Sequence, residues 1–283
     1  MVETVHCQSQ YNINFAGSQF SLYKVSSLCW SKSLPFLLFF SFAAARTHNL
    51  HCSMGFCPKF TSFFSVEAPC NKFLETIYTN DEYTMAYHIG EFERLLKWEE
   101  NAIVGIDVEY TSPKDGENQR AAVVQLCVGK KVLLYHISEA EKRCFKFDNF
   151  LKNSRYTFAG FSIGRDIEML EKSGLFVHNF VDIQGKWRVP EAWKELDSLA
   201  DVAELIIDED YGKMKDGFSF DDHCQWAFYP LSRKHINYAA IDAFASYDIW
   251  RRMTVFKSGF KRLKEDRENK FCRRFFSQVV LLY

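Results

Sequence analysis

The chain has 283 residues, 47% of them apolar and 17% aromatic, with a net charge of −1. This excludes a disordered or fibrous polymer and supplies one domain with a sizeable core, plus extensions. The charge is uneven: residues 1–70 carry +2, residues 71–253 carry −8 and residues 254–283 carry +5, so the middle of the chain repels a polyanion unless basic patches or bound cations intervene.

The first 70 residues read as an extension. The apolar run "LPFLLFFSFAAA" (34–45) is too short to span a bilayer and starts too late for a signal-peptide core. The first 66 residues hold a single acid, Glu3, which suits an organellar transit segment and equally suits a poorly ordered extension. The nine cysteines are irregularly spaced, which points to reduced thiols and an intracellular setting, nuclear or cytoplasmic, with no membrane association. His48, His51, Cys52 and Cys57 cluster in sequence, but their spacing matches no standard zinc knuckle.

The domain is expected from residue 71 to residue 255. "FLETIYTN" (73–80) reads as a first strand, and "IGEFERLLKW" (89–98) places Ile89, Phe92, Leu95 and Leu96 at helical spacing. "AIVGIDVEY" (102–110), "AAVVQLCV" (121–128) and "KVLLYHI" (131–137) follow as strands of an antiparallel meander, the last two joined at Gly129-Lys130. Then helices and strands alternate. Helices are expected over 140–152, 162–174, 196–207 and 231–253, with short strands at "YTFAG" (156–160) and "FVDI" (180–183). This order predicts an α/β fold, a mixed sheet with helices on both faces. Residues 256–283 form a basic tail interleaved with phenylalanine.

Within this frame three segments carry acids in unusual places. Asp107 and Glu109 sit two apart on an apolar strand, so both project from one face. They are either acids on a solvated sheet face or a pair that needs a divalent cation to offset their repulsion. Asp166 falls on the helical side of Ile163 and Leu170, facing a cleft or serving as a helix-start acid. Tyr238 and Asp242 are one turn apart on the last helix, among Ala239, Ala240, Ala243 and Ala245.

Together and in this order, the segments "GIDVEY", "VVQLCVGKKVLLYHI", "FAGFSIGRDIEML", "VDIQ" and "PLSRKHINYAAIDAFASYDIW" resemble the DnaQ-like 3'-5' exonucleases of the tyrosine subclass, and more closely the Werner-type exonuclease domains and their small plant relatives. The resemblance covers roughly residues 72–253 and includes no helicase segment, as in a stand-alone nuclease. It implies a ribonuclease-H-like fold with a five-stranded mixed sheet of order 3-2-1-4-5, and a site for two Mg²⁺ or Mn²⁺ ions. Asp107 would bridge both ions, Glu109 and Asp242 would complete the first, and Asp166 would support the second. The histidine subclass carries its base five residues before the last Asp, where this chain has Asn237; Tyr238 takes that role here, orienting the attacking water. The implied reaction is hydrolysis at nucleic-acid 3' ends, DNA rather than RNA, with release of 5'-mononucleotides. An RNase D-like enzyme trimming RNA and a catalytically silent binding module of the same fold are the alternatives.

Substrate contacts are expected from Lys114 and Arg120 in the loop "TSPKDGENQR" (111–120), from Arg165 beside Asp166, and from Arg233 and Lys234 ahead of Tyr238. Each is equally readable as a solvated surface charge. Tyr110 could stack on a terminal base or pack in the core. Trp187, Trp193 and Trp226 are expected in the core. The tail and the N-terminal extension are the segments open to a protein partner.

Overall fold

The computed structural model describes residues 10–15, 18–23, 58–112, 118–186 and 197–268. Lys114, Trp187, Trp193, the apolar run at 34–45 and the tail beyond residue 268 lie outside them. Strands β1 (Gln10–Phe15) and β2 (Ser18–Tyr23) form an antiparallel hairpin belonging to a separate small unit.

The main unit is built on a seven-stranded mixed sheet of order β3-β4-β7-β6-β5-β8-β9. Its strands are β3 (Thr61–Ala68), β4 (Lys72–Thr79), β5 (Ile103–Tyr110), β6 (Ala121–Val128), β7 (Lys131–Tyr135), β8 (Thr157–Gly160) and β9 (Phe180–Asp182). The five strands β7-β6-β5-β8-β9 reproduce the expected order 3-2-1-4-5, with β5 as the central first strand. The sheet has seven strands rather than five because β4 pairs parallel with β7 and a hairpin then adds β3 outside it. The start expected at residue 71 is therefore ten residues late. In β3 only Val66 and Ala68 are buried, too weak an alternation to stand out from the segment before it.

Helices cover both faces. On one side pack α1 (Glu82–Leu96), α2 (Phe145–Lys152) and α3 (Gly164–Lys172), which bury Met85, Ile89, Phe92, Phe147, Phe150 and Leu170 against Val104, Ile106 and Val108 of β5. The other side holds α4 (Leu199–Ile206) and α6 (Arg233–Glu268). Between them the chain forms a 3-10 turn (Glu209–Lys213) and the short α5 (Phe220–His223). No proline breaks α6 after residue 233, so it runs well past the expected end at Met253. Among the described residues no helix is long and apolar enough to cross a membrane.

α6 comes close to β5 at Gly105. A Cβ added at Gly105 would lie 2.3 Å from the Ala243 carbonyl oxygen and 2.7 Å from Tyr247 Cβ. Those atoms belong to backbone or to a side-chain root, so they cannot swing aside. Gly105 therefore sets how near the helix carrying Asp242 comes to the strand carrying Asp107. Gly105→Ala is expected to cost about 1–3 kcal/mol of stability and to reduce activity in proportion to the displaced helix; urea unfolding alongside an assay reads both.

Candidate active site

Asp107 and Glu109 project from the face of β5 that α6 covers, along with Gly105 and Ile103, while Val104, Ile106 and Val108 fill the opposite core. β8 pairs with β5 only through Ile103–Gly105, whereas β6 continues to Tyr110. The C-terminal half of β5 is thus open on its β8 side. The chain leaves β8 through Ser162, at φ +56°, whose N–H donates to Asp182 Oδ1 at 2.9 Å, and enters α3. This turn delivers Asp166, 5% exposed, to the open edge. Asp242 is 3% exposed and Tyr238 8%; both reach the same place from α6, one turn apart.

Burial raises all four acids, and a neighbouring acid adds to the rise in Asp107, Glu109 and Asp166. Burial, then the carboxylates of Glu109 and Asp242, push Asp107 up to about 8. Burial, then Asp107, push Asp166 to about 8 against the hydrogen bond from Tyr110. Burial raises Glu109 well above the usual carboxylate range, with Asp242 and Asp166 adding to it. Burial also raises Asp242, opposed by Lys215 and by a hydrogen bond from Tyr238. Asp242 Oδ1 is buried without a hydrogen-bond partner, as is Oε1 of the buried Gln125, cross-strand from Asp107. Among the described residues, no three of these acids place a ligand oxygen each within 4.8 Å of one another; the group that does is Cys70, Asp208 and Asp210, which includes none of them.

Three further side chains complete the site, none of them legible in the sequence. Lys215 lies between the 3-10 turn and α5. Its Nζ donates to Asp242 Oδ2 at 2.7 Å and to the Tyr238 hydroxyl at 3.0 Å. Burial lowers its pKa, but Asp242 and Tyr238 more than offset this and hold the ammonium protonated. Phe218 stacks on Tyr238 with ring centroids 4.0 Å apart and on the fully buried Trp226 at 5.7 Å. His223 meets the Tyr238 ring edge-on, with Nδ1 3.9 Å from Glu109 Oε2.

The other expected residues fall as follows. The Tyr110 hydroxyl donates to Asp166 Oδ1. Arg165 lies over the Tyr110 ring, 5.5 Å from its centroid, and donates to Gln119 Oε1 at 2.9 Å. Arg120 is exposed at the open end of β5, where its carbonyl accepts from Thr111 N–H. Lys234 is paired with Asp222 and lies over Phe218. Arg233 is tied to β3, donating to the Ser65 carbonyl and covering the Phe64 ring. His235 is buried on another side of α6, bonded to Ser232 Oγ and the Asp222 carbonyl.

A ribonuclease-H-like sheet with acids on its central strand, joined by an acid from α3 and a Tyr-x3-Asp pair from α6, defines the class of DnaQ-like exonuclease domains. Residues 83–255 match the model of the 3'-5' exonuclease family, and the chain belongs to that family. Over 159 residues it is 28% identical to the mouse bifunctional 3'-5' exonuclease/ATP-dependent helicase WRN, a match covering 53% of this chain and 11% of that protein. Among solved structures, the catalytic core of RRP6 from Trypanosoma brucei superposes with a TM-score of 0.50 at 12% identity, covering 68% of this chain and 49% of that one. Escherichia coli RNase D gives 0.49 at 17%, covering 66% and 48%. At 12% identity the RRP6 likeness speaks to fold alone.

Proposed function

We propose that this chain is a metal-dependent exonuclease domain that hydrolyses the terminal phosphodiester of DNA 3' ends and releases 5'-mononucleotides. The observation that carries it is that Asp107 and Glu109, half-buried on β5, are joined by the buried Asp166 and Asp242, with Asp107 repelled by Glu109, Asp242 and Asp166, while Lys215, Tyr110 and His223 are the polar groups set against these acids among the described residues. A fold has no structural use for that expense, and a hard divalent cation removes it. The donor set is all-oxygen, and Asp242 Oδ1 stands buried with no partner, so the residues fit Mg²⁺ or Mn²⁺, two ions held by the four acids. Bound there, the cations would neutralise the phosphodiester, acidify the attacking water and stabilise the leaving 3'-oxygen.

The chain's own groups do the positioning. Burial, then Asp242, raise the Tyr238 phenol above its usual range, so at neutral pH it is a hydrogen-bonding hydroxyl and not a base. Phe218 fixes its ring and Lys215 its oxygen, which suits Tyr238 to aim a water at the scissile phosphorus. Tyr110 holds Asp166 in orientation. Arg120 and Arg165 flank the open end of β5 and are assigned to backbone phosphates; Lys114, outside the described residues, is assigned to the same strand from its sequence alone.

Tyr238→Phe keeps the stack on Phe218 and loses only the hydroxyl. It is expected to lower kcat by about 10²-fold with little change in KM, read in single-turnover and steady-state assays. The test of the whole reading is digestion of 3'-recessed oligonucleotides of identical sequence in DNA and RNA. Chelator-sensitive release of mononucleotides from DNA supports it, preference for RNA replaces the substrate, and binding without turnover leaves a silent module.

A further inference from the structure

Asp242 presents its two oxygens differently. Oδ1 is buried with no partner, while Oδ2 is closed off by the Lys215 ammonium at 2.7 Å. Lys215 enters from the solvent side: its side chain is 38% exposed, against 5% for that of Asp242. It sits in an irregular connection whose next residues, Asp216 and Gly217, are exposed, so the side chain can withdraw without breaking a helix or strand. The same ammonium holds the Tyr238 hydroxyl and lies 5.1 Å from its ring centroid. One cation thus ties together the two α6 groups that the exonuclease reading puts on the metal and on the water.

We propose that Lys215 is a positioning residue that acts as an internal counter-ion: it clamps Asp242 to Tyr238 in the metal-free site, and its charge opposes the metal at Asp242. This rests on the exonuclease reading of the four acids. A divalent cation brought to Asp242, through the open Oδ1 or through Oδ2, meets the Lys215 charge at close range and shares a carboxylate whose electron density that ammonium already draws on, so the two cations oppose each other. Metal loading therefore works against the Lys215–Asp242 contact and loosens it. The clamp keeps α6 and its acid in register until then. It also weakens metal binding, which makes loading reversible and sensitive to the metal concentration.

The test uses the full chain with Mn²⁺ as the probe, in wild type, Lys215→Met, Lys215→Gln and Lys215→Arg. Mn²⁺ affinity is read by calorimetry and by the loss of the free-ion paramagnetic signal; stability is read by thermal unfolding with EDTA and with Mn²⁺. Lys215→Met is expected to bind Mn²⁺ at least about tenfold more tightly, equivalent to ~1.4 kcal/mol, and to melt below wild type in EDTA, with the gap closing in saturating Mn²⁺. Lys215→Arg, which keeps the charge, is expected to stay near wild-type affinity. Lys215→Gln carries the same expectation as Met if the latter folds poorly by circular dichroism. Unchanged or weaker Mn²⁺ affinity in the neutral variants, with wild type binding and Asp107→Asn not binding, overturns the clamp and leaves the exonuclease reading standing. Equal Mn²⁺ binding by wild type and Asp107→Asn overturns both.

Discussion

Asp107→Asn is expected to lower the rate of 3'-end hydrolysis by at least about 10³-fold while the protein stays folded. Asparagine has the same shape, and the strand around it is held by Ile106 and Val108 in the opposite core. What disappears is one charge among four, the one to which both Glu109 and Asp166 are coupled. Above pH 8, where Asp107 is ionised in the metal-free protein, its loss also removes repulsion, so the melting temperature in EDTA is expected to hold or rise there. Single-turnover hydrolysis of a 3'-labelled DNA oligonucleotide, paired with thermal unfolding, reads both outcomes. A variant retaining a tenth of wild-type activity would remove Asp107 from the chemistry.

The second large effect is on pH dependence. Asp107 and Asp166 stand at about 8 in the folded protein against an ordinary aspartate value of 3.8. Between those values the folded state binds more protons than the unfolded chain, so stability falls as pH rises through the window. In EDTA the protein is expected to be more stable at pH 5 than at pH 8. Saturating Mg²⁺ or Mn²⁺ should flatten the slope, since a ligating carboxylate must be deprotonated. Asp107→Asn should lose part of the slope. A melting temperature that climbs from pH 5 to pH 8 in EDTA would mean that the acids are not packed together in solution.

The acids were legible because their geometry is local. Asp107 and Glu109 share a strand face by spacing alone, and Tyr238 and Asp242 share a helix face. The central five strands followed from the change from meander to alternation. What stayed hidden depends on long-range placement. Lys215 lies 27 residues before Asp242 in a segment with no regular period. Phe218, in the same connection, reads as loop until Tyr238 stacks on it. The hydroxyl of Tyr110 finds a partner 56 residues away, where the sequence offered only base stacking or core packing. Nothing in the spacing of Arg233 marks it as a tie to β3, because β3 itself falls in a stretch that composition assigns to the extension.

The α6 helix is fastened at its far side by Asp248, which lies 3.7 Å from Lys72 of β4, and by Arg252, which donates to the Ile206 carbonyl of α4 at 3.2 Å. With its rotation pinned there, the helix behaves as a ruler whose zero mark is Asp248 and whose graduations are Tyr238 and Asp242. Deleting a single residue between 243 and 247 would turn everything upstream by about 100°, carrying both groups off the strand although no functional side chain had been altered. Length in that segment is therefore as strictly fixed as chemistry, and frame-preserving indels there would be read out as complete loss of turnover.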